Sequence, residues 1–142
     1  MRIKEVVNES NSMVVTVRPT DTIADAVDLL KEHSIGAVVV SGDGEAVDGI
    51  MSERDVVRHL AAEQEGTLRL RVEELMTHSV TTCSRDDDAN AVMAVMTEGR
   101  FRHAPILDHQ GRLAGIVSLG DLVKARLVEL ESQSNSAMGG EG

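Results

Sequence analysis

The chain repeats one ten-residue phrase, and this repetition constrains the fold more than any other feature. GIMSERDVVR at residues 49–58 returns as GIVSLGDLVK at residues 115–124, 66 positions later. Upstream, residues 15–16 match residues 80–81 at an offset of 65, so one extra residue is expected near His103. Similarity over most of a 142-residue chain predicts a tandem duplication within one compact domain.

In each copy of the phrase an apolar strand end runs into a serine, and an aspartate follows three positions later. Ser52 precedes Asp55, and Ser118 precedes Asp121. Ser-x-x-Asp resembles a capping box at a helix start, where the helix dipole favours an acid. A hydroxyl, a carboxylate and free backbone N–H groups would converge there, which suits a phosphorylated sugar. The alternative is that each pair only caps its helix.

The hydrophobic pattern predicts β-α-β-β-α in each half. The first half should contain strands over 13–17, 35–40 and 47–51, a helix that begins at Thr22, and a helix from 52 to about 63. The second half should contain strands over 80–82, 104–107 and 113–117 and a helix that places 89, 92, 93 and 96 inward. The last helix should carry Leu119, Leu122, Val123, Leu127 and Leu130 on one face.

The expected fold class is α/β (α+β), with two such repeats packed about a pseudo-twofold axis. A half of roughly sixty residues would be marginally stable alone, so the two sheets should pack on each other and leave two equivalent clefts. We expect residues 1–66 to form repeat one with an N-terminal segment and residues 67–131 to form repeat two. Residues 132–142 are small and polar, which predicts a disordered tail.

Composition argues against several classes of function. The net charge is −10, which would repel nucleic acid and anionic membranes, and the chain has no Trp or Tyr for stacking on bases. No leader or membrane-length apolar run is evident, so a cytoplasmic protein is expected. The five histidines show no metal-ligand spacing, and no metal site is expected. The single cysteine, Cys83, cannot build a disulfide framework.

The duplicated Gly-x-x-Ser-x-x-Asp phrase and the run RFRHAPI at 100–106 resemble a tandem CBS-domain pair, or Bateman module, of the stand-alone bacterial kind. The resemblance covers nearly all of residues 1–130 and leaves no room for a catalytic domain. It implies a regulatory module that binds AMP, ADP, ATP or NAD(H), or sometimes S-adenosylmethionine, and that forms homodimers. It implies no obligatory cofactor.

The resemblance also implies roles for individual residues. Asp55 and Asp121 would accept hydrogen bonds from the ribose diol, and Ser52 and Ser118 would hold phosphate or ribose. At the ends of the first strands, Thr16 and Thr81 would contact the nucleotide through a hydroxyl and adjacent backbone, although either could be an ordinary strand threonine. The adenine wall would be formed by Ile35, Gly36 and Ala37 and by the counterpart that runs from Phe101 through Ala104 to Pro105.

Basic residues near the motifs are candidate phosphate ligands. Arg102 and His103 are expected to reach phosphates in the second cleft and Arg54 in the first, while the alternative is that they form an ordinary solvated surface. Glu53 and Arg54 of repeat one are replaced by Leu119 and Gly120 in repeat two. The two sites are therefore expected to have unequal affinities.

Two other classes of function stay open. A structural adaptor with empty clefts would dimerise and dock a partner protein, and the amphipathic last helix motivates this alternative. An independent enzyme is the least favoured hypothesis, because no nucleophile, base and electrophile converge in the sequence.

Overall fold

The computed structural model describes residues 1–7, 14–62 and 65–140. The elements of the first half are α1 (Ile3–Val6), β1 (Thr16–Val17), α2 (Ile23–His33), β2 (Ala37–Val40), β3 (Gly49–Ser52) and α3 (Glu53–Ala62). A 3₁₀ turn (Thr67–Arg69) and α4 (Val72–Leu75) follow. The second half contains β4 (Cys83–Ser84), α5 (Ala89–Gly99), β5 (His103–Leu107), β6 (Leu113–Ser118) and α6 (Leu119–Gly140).

Each half builds one three-stranded sheet, in the orders β1-β2-β3 and β4-β5-β6. The first pair of strands in each sheet is parallel and the second is antiparallel. All four residues of β2 are buried, as expected of a central strand that is covered on both faces. The predicted mixed α/β fold with two β-α-β-β-α repeats is confirmed.

From the first strand onwards the repeats are related by an offset of 66, which corrects the expected change from 65. Helix α2 begins at Ile23 and α5 at Ala89, and both helices end in a left-handed residue, Ser34 or Arg100. The apparent match at 65 arises because small and β-branched residues happen to recur one position out of register. The structural counterpart of Thr16 is therefore Thr82 rather than Thr81.

The two short parallel strands differ most from the prediction. β1 spans only Thr16–Val17, and the predicted start at Met13 lies outside the described residues. β4 spans Cys83–Ser84 rather than 80–82, because Cys83 is the residue that enters the core and pairs with Ile106. Residues 80–82 are left outside the sheet.

The two cores exchange their leading segments. Ile3 of α1 is fully buried among side chains of the second repeat, including Cys83, Met96 and Leu122. Val72 of α4 is fully buried in the core of the first repeat. Each segment thus belongs by sequence to one half and by packing to the other, which is the reciprocal relation that a twofold arrangement produces.

Matching backbone hydrogen bonds fix this exchange. The Ile3 amide donates to the Asp87 carbonyl at 3.0 Å, and the Val72 amide donates to the Asp21 carbonyl at 2.8 Å. Asp21 and Asp87 occupy equivalent positions of the two repeats. The sequence division at residue 66 therefore marks the duplication but does not separate two independent cores.

Helix α6 runs from Leu119 to Gly140, and the disorder predicted for residues 132–142 stays a prediction. No proline interrupts residues 119–138, so the backbone can continue its hydrogen bonds until the Gly-Gly pair. Leu122 is fully buried, but Val123, Leu127 and Leu130 are 43%, 58% and 43% exposed. The predicted apolar face of this helix is therefore only partly covered by the described residues.

Gly49 allows residues 76–81, which connect α4 to β4 and are called the linker below, to lie against β3. A Cβ atom on Gly49 would lie 2.6 Å from Met76 Sδ and 2.9 Å from the Thr77 carbonyl oxygen. At the equivalent Gly115 the nearest atom would be Ile106 Cδ1, at 3.3 Å. We expect Gly49→Ala to destabilise the fold by about 1–3 kcal/mol in urea unfolding and Gly115→Ala to cost less. Equal losses would show that the contact with Met76 and Thr77 does not constrain the strand.

Candidate functional site

The two repeated Ser-x-x-Asp motifs form helix caps. The Asp55 amide donates to Ser52 Oγ at 3.2 Å, and the Ser52 amide donates to Asp55 Oδ2 at 2.9 Å. Ser52 Oγ also donates to Asp55 Oδ2, at 3.0 Å. The capping alternative is thus a real part of what these residues do.

The helix cap leaves hydrogen-bonding groups of the Asp55 carboxylate and of the start of α3 available. The hydrogen bonds that Asp55 accepts from described residues all end on Oδ2, which leaves Oδ1 available. The Glu53 amide donates to the Gly36 carbonyl at 2.9 Å, whereas the Arg54 amide has no acceptor among the described residues. One carboxylate oxygen and one amide therefore remain for a ligand.

A cleft of about 550 Å³ opens beside this helix start, between the two repeats. From repeat one it is lined by Gly36, Ala37, Ile50, Ser52, Glu53, Arg54, Asp55 and Arg58. The linker contributes Thr77, Ser79, Val80 and Thr81, and repeat two contributes the run from Gly99 to His103. Of the predicted site residues, the structure brings Gly36, Ala37, Ser52, Arg54, Asp55, Thr81, Arg102 and His103 together here.

The linker reaches the cleft because it pairs with the edge of β3. The Ile50 amide donates to the Thr77 carbonyl at 3.1 Å, and the Thr77 amide donates back to Ile50 at 2.9 Å. This isolated bridge turns residues 77–81 into one wall of the cleft. Thr77 and Ser79, which sequence reasoning missed, bring two more hydroxyls to that wall.

Arg102 and His103 line the cleft of Ser52 and Asp55, and the contacts predicted for them in the second cleft stay a prediction. The turn from α5 into β5 carries residues 99–103 across to the first repeat. The Leu119 amide donates to the Arg102 carbonyl at 2.7 Å, so the same turn also abuts the second motif.

Two cleft arginines were not predicted as ligands. Arg58 follows Arg54 by one helical turn on α3, and Arg100 ends α5 in a left-handed conformation. The spacing of Arg54 and Arg58 is an i, i+4 signal that the sequence offered, since such residues share a helix face.

Four other predicted residues lie away from this cleft. Ala104 and Pro105 are buried in β5, and Ala104 packs in the core of the second repeat beside Cys83. Ile35 packs against the first core, and Thr16 lies in β1 opposite Val39. The wall predicted over 101–105 is the repeat-two counterpart of the wall at 35–37 and stays a prediction, while residues 99–103 line this cleft.

Ser118 and Asp121 form the equivalent cap in repeat two. The Asp121 amide donates to Ser118 Oγ at 3.0 Å, and the Ser118 amide lies 3.4 Å from Asp121 Oδ2. The equivalent segment of the first half, which precedes β1, includes residues 8–13, and these lie outside the described residues. Binding at this second motif therefore stays a prediction.

His103 of repeat two lies beside Gly36 of repeat one. A Cβ atom on Gly36 would lie 3.4 Å from His103 Cε1 and 3.6 Å from Glu53 Oε1, which are ordinary contact distances and show that both side chains border Gly36. Burial lowers the pKa of His103 below its ordinary value of 6.5. The carboxylates of Asp121 and Glu53 act in the opposite direction, while Arg102 reinforces the lowering. The neutral imidazole is thus the favoured form in the folded protein.

This lowered pKa predicts a pH dependence of stability. Between the folded pKa and about 6.5 the unfolded chain binds more protons, so the free energy of unfolding should fall as the pH drops below about 6.5. One proton limits this slope to about 1.4 kcal/mol per pH unit. Urea unfolding between pH 5.5 and 7.5 should show a smaller slope for His103→Gln than for the wild type. His33→Gln, at an exposed site, is the control, and an unchanged slope in His103→Gln would contradict the assignment.

Neither a metal centre nor a membrane span is evident in the part of the chain that the structure describes. No group of three or more His, Cys, Asp or Glu side chains there is arranged to hold a metal ion. No helix there is both long enough and apolar enough to cross a bilayer.

Comparison with known proteins gives one family. The CBS domain matches the chain twice, over residues 3–62 and 72–128. The chain is 36% identical over 118 residues to an uncharacterised 17.7 kDa protein of Acidianus ambivalens, covering 83% of this chain and 70% of that protein. It spans 52% and 57% of the lengths of two further curated relatives.

Solved structures agree with this match. A CBS-domain containing protein from Agrobacterium tumefaciens is 42% identical, with a TM-score of 0.82, and the match covers 89% of this chain and 99% of that one. CBSX2, solved in complex with AMP, is 25% identical with a TM-score of 0.69, and the match covers 89% of this chain and 96% of that one.

Proposed function

The chain belongs to the CBS-domain family, and we propose that it is a non-enzymatic regulatory module that binds an adenine nucleotide in the cleft beside Asp55. The observation that carries the proposal is the position of the Asp55 carboxylate. Oδ2 is held by the helix cap, while Oδ1 is available at the rim of a cleft that also contains several arginines. An acid paired with cations in one hollow suits a ligand that has both hydroxyls and phosphates.

We assign roles by position in the cleft. Asp55 accepts hydrogen bonds from the ribose diol, and the Arg54 amide at the start of α3 donates to a phosphate oxygen, aided by the helix dipole. The base lies along Gly36 and Ala37, where backbone groups read its edge. Thr81 completes the wall from the linker. The structure of CBSX2 with AMP supports an adenosyl ligand in a related protein.

Because the cleft walls come from both repeats and the linker, a bound nucleotide would favour one relative position of the halves. A ligand shifts such an equilibrium only by its differential affinity for the two states. We therefore propose that occupancy regulates a partner protein through the shape of the pair or of its homodimer, in the cytoplasm.

A thermal-shift panel tests this proposal directly. AMP, ADP, ATP, NADH and S-adenosylmethionine are added separately to the protein stripped of bound ligand. At a free concentration of 100 times Kd, one site should stabilise the fold by about 2.7 kcal/mol. A panel in which no adenosyl compound raises the melting temperature would remove the sensor function.

The second candidate function, an adaptor that docks a partner protein, is favoured by the exposed apolar side chains of α6. Leu127 and Val128 are each 58% exposed. The adaptor hypothesis predicts a stable dimer in sedimentation velocity that is indifferent to every compound of the panel. A dimer that is altered by a nucleotide would favour the sensor.

A further inference from the structure

Four arginines line the Asp55 cleft without acidic partners. Arg54 and Arg58 project from α3, and Arg100 and Arg102 come from the turn between α5 and β5. None of them forms an ion pair with a described residue. Elsewhere several arginines do find acids, such as Arg71 with Glu73 and Arg112 with Asp108. In a chain with a net charge of −10, this cation cluster marks a place where an anion binds.

The arrangement of the cluster is extended. Arg54 and Arg58 lie one turn apart on one helix face, with roughly 5–6 Å between their Cβ atoms. Arg100 and Arg102 are two residues apart in the turn that forms the wall contributed by repeat two. A single phosphate at the start of α3 can contact only the nearer arginine of each of these two pairs. A chain of phosphates that runs along the cleft can contact both arginines of each pair.

The net charge of the residues that line the cleft also favours an anionic ligand. Asp55 is occupied by its cap and by the proposed ribose contact, and Glu53 lies against His103 and Gly36. Both carboxylates keep their charge, so the four arginines leave a net charge of +2 among these lining residues, which attracts phosphates, and the spacing of the arginines decides how many phosphates they can contact. A planar guanidinium offers paired donors to phosphate oxygens, so each arginine can bind one unit of a longer chain.

We propose that this cleft selects an adenine nucleotide with two or more phosphates over AMP, and that Arg58 and Arg100 determine the preference. The inference rests on the proposed nucleotide-binding function and adds to it the length of the phosphate chain. Arg54 and the helix start serve the first phosphate, and Arg58 and Arg100 serve those beyond it.

Titration calorimetry with adenosine, AMP, ADP and ATP, without divalent cations, tests the proposal. ATP should bind about 10-fold or more tightly than AMP, with ADP between them, because one or two charge-assisted contacts are added. In the double variant Arg58→Gln/Arg100→Gln, ATP affinity should fall by about 10-fold or more while AMP affinity changes less than about 3-fold. Arg71→Gln, outside the cleft, is the matched control and should leave both affinities unchanged.

The outcomes separate this inference from the function on which it rests. Equal affinities for AMP and ATP would overturn the selection of a phosphate chain and leave the nucleotide-binding function intact. An ATP preference that survives in the double variant would overturn the assignment to Arg58 and Arg100. Absence of binding by any of the four compounds would overturn both the function and the inference. Circular dichroism of each variant verifies that a lost affinity is not a lost fold.

Discussion

Replacing Asp55 with alanine is expected to weaken adenine-nucleotide binding about 100-fold, because two charge-assisted hydrogen bonds to the ribose diol are lost. Asp55 is half-buried at the cleft, and only its Oδ2 is used by the helix cap. Titration calorimetry with the tightest nucleotide of the thermal-shift panel measures the change.

The same substitution also removes a helix cap, so a capping control is needed. Thr22 and Asp25 form the equivalent capping box at the start of α2, where the Asp25 amide donates to Thr22 Oγ1 at 3.2 Å. Asp25 does not line the cleft. Asp25→Ala should therefore lower stability by about 1 kcal/mol, as Asp55→Ala does, yet leave nucleotide affinity unchanged. Equal loss of affinity in both variants would mean that Asp55 acts only through its helix.

Ile3→Ala is expected to destabilise the protein by about 2–5 kcal/mol, the range for truncating a fully buried aliphatic side chain. Ile3 is 0% exposed and packs in the core of the second repeat, although it belongs by sequence to the first half. Urea unfolding followed by far-ultraviolet circular dichroism measures the loss, because the chain has no Trp or Tyr for fluorescence.

Lys4→Ala is the matched control for this experiment, since Lys4 is an exposed neighbour on the same short helix. It should change the free energy of unfolding by no more than about 0.5 kcal/mol. If Ile3→Ala were as mild as Lys4→Ala, the exchange of leading segments would not be part of the stable fold.

The local features of the fold were predictable because short stretches of sequence determine them. The Thr22-x-x-Asp25 capping box and the four-residue buried strand β2 are both confirmed. Each depends on residues within one or two turns or on a run of β-branched side chains, whose preferences are set locally. The same holds for the Ser-x-x-Asp caps at α3 and α6.

The features that the sequence did not specify depend on contacts between distant residues. Amphipathicity shows that α1 must bury Ile3, but it does not show which core receives it. Likewise, the basic run at 100–103 predicts an anion site without showing which cleft the turn enters.

The most direct test of the central claim is the amide spectrum of ¹⁵N-labelled protein during titration with ATP. Binding beside Asp55 predicts chemical-shift changes concentrated at Gly36, at residues 52–58, at residues 77–81 and at residues 99–103, which form the walls of the cleft. A spectrum that does not change at saturating ATP, or changes confined to residues outside these walls, would contradict the account.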